Sequence, residues 1–189
     1  MHSTGMLIFS MRASSGKRTS AQRLIDEEEM SALATFTTRS LGTQHPTPFG
    51  ASIVKTRGQT RGNVLLLRTL NAVARECDPS CHAEVRAIRL ATKKLKKLSL
   101  AGYTLYTTCE PCPMCMSTAL WASLDRVVFG ATIEDANRHC RQIQIGATEV
   151  AARSDMRCQV DGPVLQEKCY SLFTHPNMLR AFRAWSKSK

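Results

Sequence analysis

His82 and Glu84, in Cys81-His82-Ala83-Glu84-Val85, and Cys112 and Cys115, in Thr108-Cys109-Glu110-Pro111-Cys112-Pro113-Met114-Cys115, are the residues of this chain best equipped for chemistry. An imidazole and two thiolates are common donors to zinc. Two cysteines three apart place both sulfurs on one side of a helical turn. Pro111 and Pro113 suit the start of a helix, where a missing amide hydrogen costs little. The positive end of that helix favours the thiolate that zinc requires. Three protein ligands leave a fourth position for water, whose pKa bound zinc brings down toward about 7. Glu84 is not needed as a ligand and is free to carry protons as the catalytic acid and base. The expectation is a hydrolytic centre with one Zn2+ per chain, held by His82, Cys112 and Cys115 and served by Glu84.

Each motif is weak alone. A single Cys-x-x-Cys also fits half of a structural zinc knuckle or a redox pair. Cys77, Cys81 or Cys109 could complete a closed four-ligand site with His82 and Cys112. The conjunction of His-Ala-Glu with Glu-Pro-Cys-Pro-Met-Cys favours the open, catalytic arrangement.

The elements that must position these residues follow from periodicity. Asp26 and Glu29 have the spacing of an acidic helix start, with Met30, Leu33, Ala34, Thr37 and Leu41 on one face and Gly42 as the stop. Strands are predicted at 49–55 and 63–69, joined by a turn at Gly58–Gly62 into a hairpin, with a loop over 71–80. Val85, Ile88, Ala91, Leu95 and Leu98 predict a helix over 82–98, its other face carrying Arg86, Arg89, Lys93, Lys94, Lys96 and Lys97. A strand over 103–108 runs into the cysteine motif, followed by a helix over 112–124 and a buried strand over 126–131. Strand, helix and strand with short connections imply a parallel crossover. A short helix and a loop are expected over 133–154. A last strand alternates at Met156, Cys158 and Val160, a helix covers 164–173, and an apolar stripe runs from Met178 to Trp185. The fold class is α/β, a three-layer α/β/α sandwich around a mixed five-stranded sheet.

The chain has 189 residues and a formal net charge of +11, enough for one domain with a core and suited to a polyanionic partner or simply to a solvated surface. Residues 1–23 hold Arg12, Lys17, Arg18 and Arg23 and no acidic residue, and are expected to form a basic, disordered extension, with organellar targeting as the alternative. The zinc-dependent catalytic domain then spans 24–189. No apolar run reaches membrane-spanning length, so no membrane partner is expected. Eight cysteines without a signal peptide point to reduced thiols and a cytoplasmic location. Cys140, Cys158 and Cys169 are expected to serve in packing.

At the residues quoted above the chain resembles the cytidine/deoxycytidylate deaminase superfamily, over roughly Ala34 to Trp185. Pro48-Phe49-Gly50-Ala51-Ser52-Ile53-Val54-Lys55 and Arg126-Val127-Val128-Phe129-Gly130-Ala131 are similar to strands of that family. The stretch Tyr106 to Cys115, Ala119-Leu120-Trp121-Ala122 and Ala181-Phe182-Arg183-Ala184-Trp185 resemble guanine deaminases. Val150-Ala151-Ala152-Arg153 and Gly162-Pro163-Val164-Leu165 are more similar to enzymes acting on isocytosine-type pyrimidines. The resemblance implies zinc-dependent hydrolytic deamination of a nucleobase, guanine first and isocytosine or cytosine next, with release of ammonia. It also implies that Asn71 hydrogen-bonds the base, that the Ala83 backbone contacts its carbonyl edge, that Phe49 stacks on the ring, and that the chain forms a homodimer. For Asn71 an Asx turn is the alternative, and Trp121 is expected in the core or at a dimer interface. Two other readings stand beside this one: a tRNA-specific adenosine deaminase, with tRNA as partner, and a non-catalytic RNA-binding domain with a structural zinc.

Overall fold

The computed structural model describes residues 19–56 and 63–187. The first helix, α1 (Ser20–Thr38), is capped by Thr19, whose side chain accepts from the Gln22 N–H, and is followed by a 3-10 turn over Arg39–Gly42. It begins six residues upstream of the start that the acidic run suggested. Asp26 is no cap: it lies mid-helix and is fully buried. Ser20 to Arg23, assigned by sequence to the extension, form the first turn of α1. Residues 1–18 and the turn expected at Gly58–Gly62 lie outside the described residues.

Strands β1 (Gly50–Lys55) and β2 (Val64–Leu70) form the expected antiparallel hairpin, with a register shift between Ile53 and Val54. The segment read as a loop contains one helical turn, α2 (Val73–Glu76), closed by Cys77 in the left-handed region. Helix α3 (Ala83–Leu95) ends three residues earlier than its apolar spacing predicts. Lys96 takes a left-handed conformation there, and Leu98 is left 89% exposed rather than inward. Strand β3 (Tyr103–Cys109), helix α4 (Pro113–Trp121) and strand β4 (Arg126–Ala131) make the parallel crossover. Two short helices, α5 (Ile133–Asn137) and α6 (Ala147–Ala152), occupy the region read as one helix and a loop. Strand β5 (Gln159–Asp161) and helices α7 (Gln166–Thr174) and α8 (Pro176–Lys187) complete the chain.

The sheet order is β2-β1-β3-β4-β5, with β1 antiparallel to both neighbours and β3, β4 and β5 parallel. Its strands alternate between two cores, because successive side chains of a strand point to opposite faces. Tyr106, Val54 and Val128 join Met30, Leu33, Phe173 and Met178 on the side of α1, α7 and α8. Leu105, Ile53 and Val127 join Ala87, Ile88, Met116 and Leu120 on the side of α3 and α4. The expected three-layer α/β/α sandwich with a mixed five-stranded sheet is what forms.

A buried ionic cluster joins the layers. Arg126 on β4 meets both carboxylate oxygens of Asp26, at 2.6 and 2.7 Å, and also pairs with Asp161 on β5. The Tyr106 hydroxyl donates to Asp26 at 2.8 Å. Trp121, expected in the core or at an interface, is 76% exposed, so it contributes nothing to either core.

Candidate metal centre and its cavity

Two helix N-termini converge on the site. His82 is the N-cap residue of α3 and Cys112 that of α4, both with extended backbone, and Pro113 holds the first position of α4. Cys115 follows one turn later and is fully buried. The Cys112 and Cys115 sulfurs are 3.6 Å apart, and His82 Nδ1 lies 3.7 and 3.5 Å from them. A tetrahedral zinc with ordinary bond lengths demands S···S edges of about 3.8 Å and S···N edges of about 3.6 Å. The donor set therefore fits zinc in both chemistry and spacing, with Nδ1 as the imidazole donor.

Among the described residues, His82, Cys112 and Cys115 are the group of His, Cys, Asp and Glu side chains close enough to hold a metal ion. The closed-site alternatives fail on geometry. The Cys81 thiol donates to Glu76 and Asp78, at 3.1 and 3.2 Å. Cys109 points at the Thr132 carbonyl, and Cys77 is exposed. All eight cysteines are free thiols.

Electrostatics at the site separate the two sulfurs. Contact with Cys115 pulls the Cys112 thiol down to about 4 against the cost of burial, helped by His82, whereas the same contact and burial push Cys115 up. The imidazole of His82 is raised, first by its bond to Cys112. Glu84, in the first turn of α3, is 5% exposed, and burial raises its carboxyl although the His82 charge opposes this. The Thr107 hydroxyl on β3 stands 3.2 Å from Glu84 Oε1.

These groups open onto a cavity of about 350 Å3. Its walls include His82, Glu84 and Cys112, together with Phe49 and Asn71. The structure thus brings six of the seven sequence-derived site residues together, Cys115 lying behind its partner sulfur. Asn71 is half-buried, and its carboxamide makes no hydrogen bond among the described residues, so the Asx turn is not formed. Phe49 is braced edge-on by Phe173, their centroids 5.3 Å apart. Ala83 is the exception: it is fully buried, is not part of the wall, and its carbonyl accepts from Thr69 Oγ1 at 2.7 Å.

Sequence reasoning missed other parts of the lining, which include Glu110, Cys140, Arg141, Gln142 and Trp185. The segment 138–146 has neither helical nor strand period, so nothing in its pattern placed it here. A second cavity, of about 590 Å3, adjoins the first across Asn71, Ala74 and Trp185 and contains none of the metal-site side chains.

Residues 24–131 match the model of the cytidine and deoxycytidylate deaminase zinc-binding region. The chain is 43% identical over 89 residues to the guanine deaminase of Bacillus subtilis, covering 47% of this chain and 53% of that protein. It is 36% identical over 77 residues to a tRNA-specific adenosine deaminase of Buchnera aphidicola, covering 41% and 48%. The alignments thus span about half the length of these curated relatives. The solved structure of the Bacillus subtilis guanine deaminase superimposes with a TM-score of 0.56 at 30% identity, covering 85% of this chain and 93% of that one.

Proposed function

The chain belongs to the cytidine and deoxycytidylate deaminase family, and we propose that it is a zinc-dependent hydrolase that deaminates a nucleobase, guanine first and isocytosine or cytosine next. The observation that carries this reading is a buried carboxylate, Glu84, on the cavity that His82 and Cys112 line, two of three donors spaced for tetrahedral zinc.

His82, Cys112 and Cys115 would hold the metal. Bound zinc supplies a water that is deprotonated near neutral pH. Glu84 takes that water's proton as oxygen attacks the amine-bearing ring carbon, and passes it to the adjacent ring nitrogen. The raised affinity of Glu84 for a proton suits it to hold one between the two transfers. Glu84 then takes the proton of the added hydroxyl and gives it to the departing amino group as the carbon–nitrogen bond breaks and the carbonyl forms. The net reaction adds one water and releases ammonia and the keto base.

Asn71 offers an unengaged carboxamide to the base edge and Phe49 a braced ring face. The Ala83 backbone, at the first position of α3, would meet the carbonyl edge of the base. A cavity of about 350 Å3 suits a single base, lying near the low end of the roughly 300–1,000 Å3 range of small-molecule sites. The free thiols support a reducing, cytoplasmic location, and the exposed Trp121 supports a homodimer, which sedimentation would test. No helix among the described residues is long and apolar enough to cross a membrane.

Action on tRNA is the second reading, favoured by the +11 charge and by the Buchnera relative. Lys93, Lys94, Lys96 and Lys97 lie at the far end of α3 from His82, which argues against that face as the platform. Ammonia release from a panel of free bases, nucleosides and anticodon-stem RNA tests both. Turnover of guanine or a pyrimidine base supports the first reading, and activity confined to RNA overturns it.

A further inference from the structure

We propose that Glu110 is a positioning residue that fixes the substrate-facing wall over residues 138–146 to the metal centre, an inference that rests on the deaminase reading for its kinetic consequence. Its carboxylate bridges two helix starts. Oε2 accepts from the Ile133 N–H, the first residue of α5, at 3.2 Å, and Oε1 from the Ala147 N–H, the first residue of α6, at 2.9 Å. Those two points flank the segment that brings Cys140, Arg141 and Gln142 to the cavity.

This segment needs such an anchor. Helices of five and six residues are marginal by themselves, and a carboxylate at a helix N-terminus stabilises it. The start of the segment also packs on α7 and α8, His139 Nε2 lying 3.1 Å from the Tyr170 hydroxyl, while bonds within it run from the Gln142 N–H to Asn137 Oδ1 and from Gln142 Nε2 to the Cys140 carbonyl. Glu110 itself is fixed, because its N–H donates to the Ala131 carbonyl at 2.7 Å and Pro111 and Cys112 follow directly. One side chain therefore ties the loop that leads into Cys112 to both ends of that segment. Gly146 shows how close the fit is: a Cβ there would stand 3.1 Å from Glu110 Oε1, although its φ of −68° is open to any residue.

The test uses the full-length zinc-loaded protein and the variants Glu110→Gln, Glu110→Ala and Gly146→Ala. We expect stoichiometric zinc in all three and faster amide hydrogen exchange confined to residues 138–146. KM for the base should rise by about ten-fold in Glu110→Ala with kcat changed far less, and less steeply in Glu110→Gln, which keeps one acceptor. Gly146→Ala, which crowds the same carboxylate from the other side, should show a milder version. Unchanged exchange over 138–146, or a fall in kcat with KM unaltered, overturns the proposal, as does loss of zinc in proportion to activity. Exchange and zinc content are read without turnover, so a wild-type protein inactive on every base would refute the deaminase reading and leave the anchoring role separately decided.

Discussion

Thr107 Oγ1 lies 3.2 Å from Glu84 Oε1 and 2.9 Å from the Cys109 carbonyl, so the strand that delivers the cysteine motif also restrains the Glu84 carboxylate on α3. A hydroxyl has one hydrogen and two lone pairs. With Glu84 ionised, the hydroxyl donates to it; with Glu84 protonated, the hydroxyl donates to the Cys109 carbonyl and accepts from Glu84. Thr107→Val removes this exchange at nearly constant volume. It should lower kcat by about ten-fold, the scale of one hydrogen bond to a charged group, with zinc content unchanged. Equal kcat in the variant and the wild type would sink the idea.

Glu84→Gln should keep the metal and abolish turnover. General acid–base catalysis contributes about 10²–10⁴-fold, and here one carboxylate serves several transfers, so a loss of at least about 10³-fold is expected. Metal analysis beside an ammonia assay checks it. A variant that loses zinc with its activity would instead make Glu84 a ligand.

Removal of the metal should destabilise the fold locally and measurably. At free zinc a thousand-fold above Kd, binding to the folded state alone adds about 4 kcal/mol. A chelator should therefore lower the thermal midpoint of the wild type and leave that of Cys112→Ala unmoved. Calorimetry with and without chelator decides it, and an equal drop in both proteins would place the stabilising metal elsewhere.

The Asp26–Arg126 pair predicts an acid limb to stability. Burial pushes the Asp26 carboxyl up, but bonds from Arg126, Tyr106 and Gln22 outweigh it and hold the carboxyl below its ordinary value. Its contribution is accordingly present in full above the ordinary carboxylate pKa of about 4 and is lost as pH falls through the lower folded value. Asp26→Ala should cost about 3–5 kcal/mol at neutral pH, toward the lower figure because Asp161 still faces Arg126. Urea unfolding from pH 6 to pH 3 should show the loss in the wild type and a flatter slope in the variant.

Much of the site was legible in the sequence because its logic is local. His82 and Glu84 share one helix start, and Cys112 and Cys115 share another. The crossover that carries the second of those helices follows from period and spacing alone. What escaped was set by contacts distant in the chain. Asp26 reads as a helix cap, since an acidic run before an apolar stripe usually is one, and only Arg126, a hundred positions later, explains its burial. Glu110 reads as part of the cysteine motif, yet its partners are 23 and 37 residues away. Leu98 continues the apolar spacing of α3, but a left-handed Lys96 ends the helix first.

The hundred residues between Asp26 and Arg126 also order events on the ribosome. Helix α1 emerges early, and the Arg126 guanidinium that pairs with its Asp26 carboxylate arrives only when β4 is made, roughly 5–20 s later at ordinary elongation rates. His82, Cys112 and Cys115 all leave the ribosome before Arg126 does. The three donors can therefore come together before the Asp26–Arg126 pair ties α1 to β4.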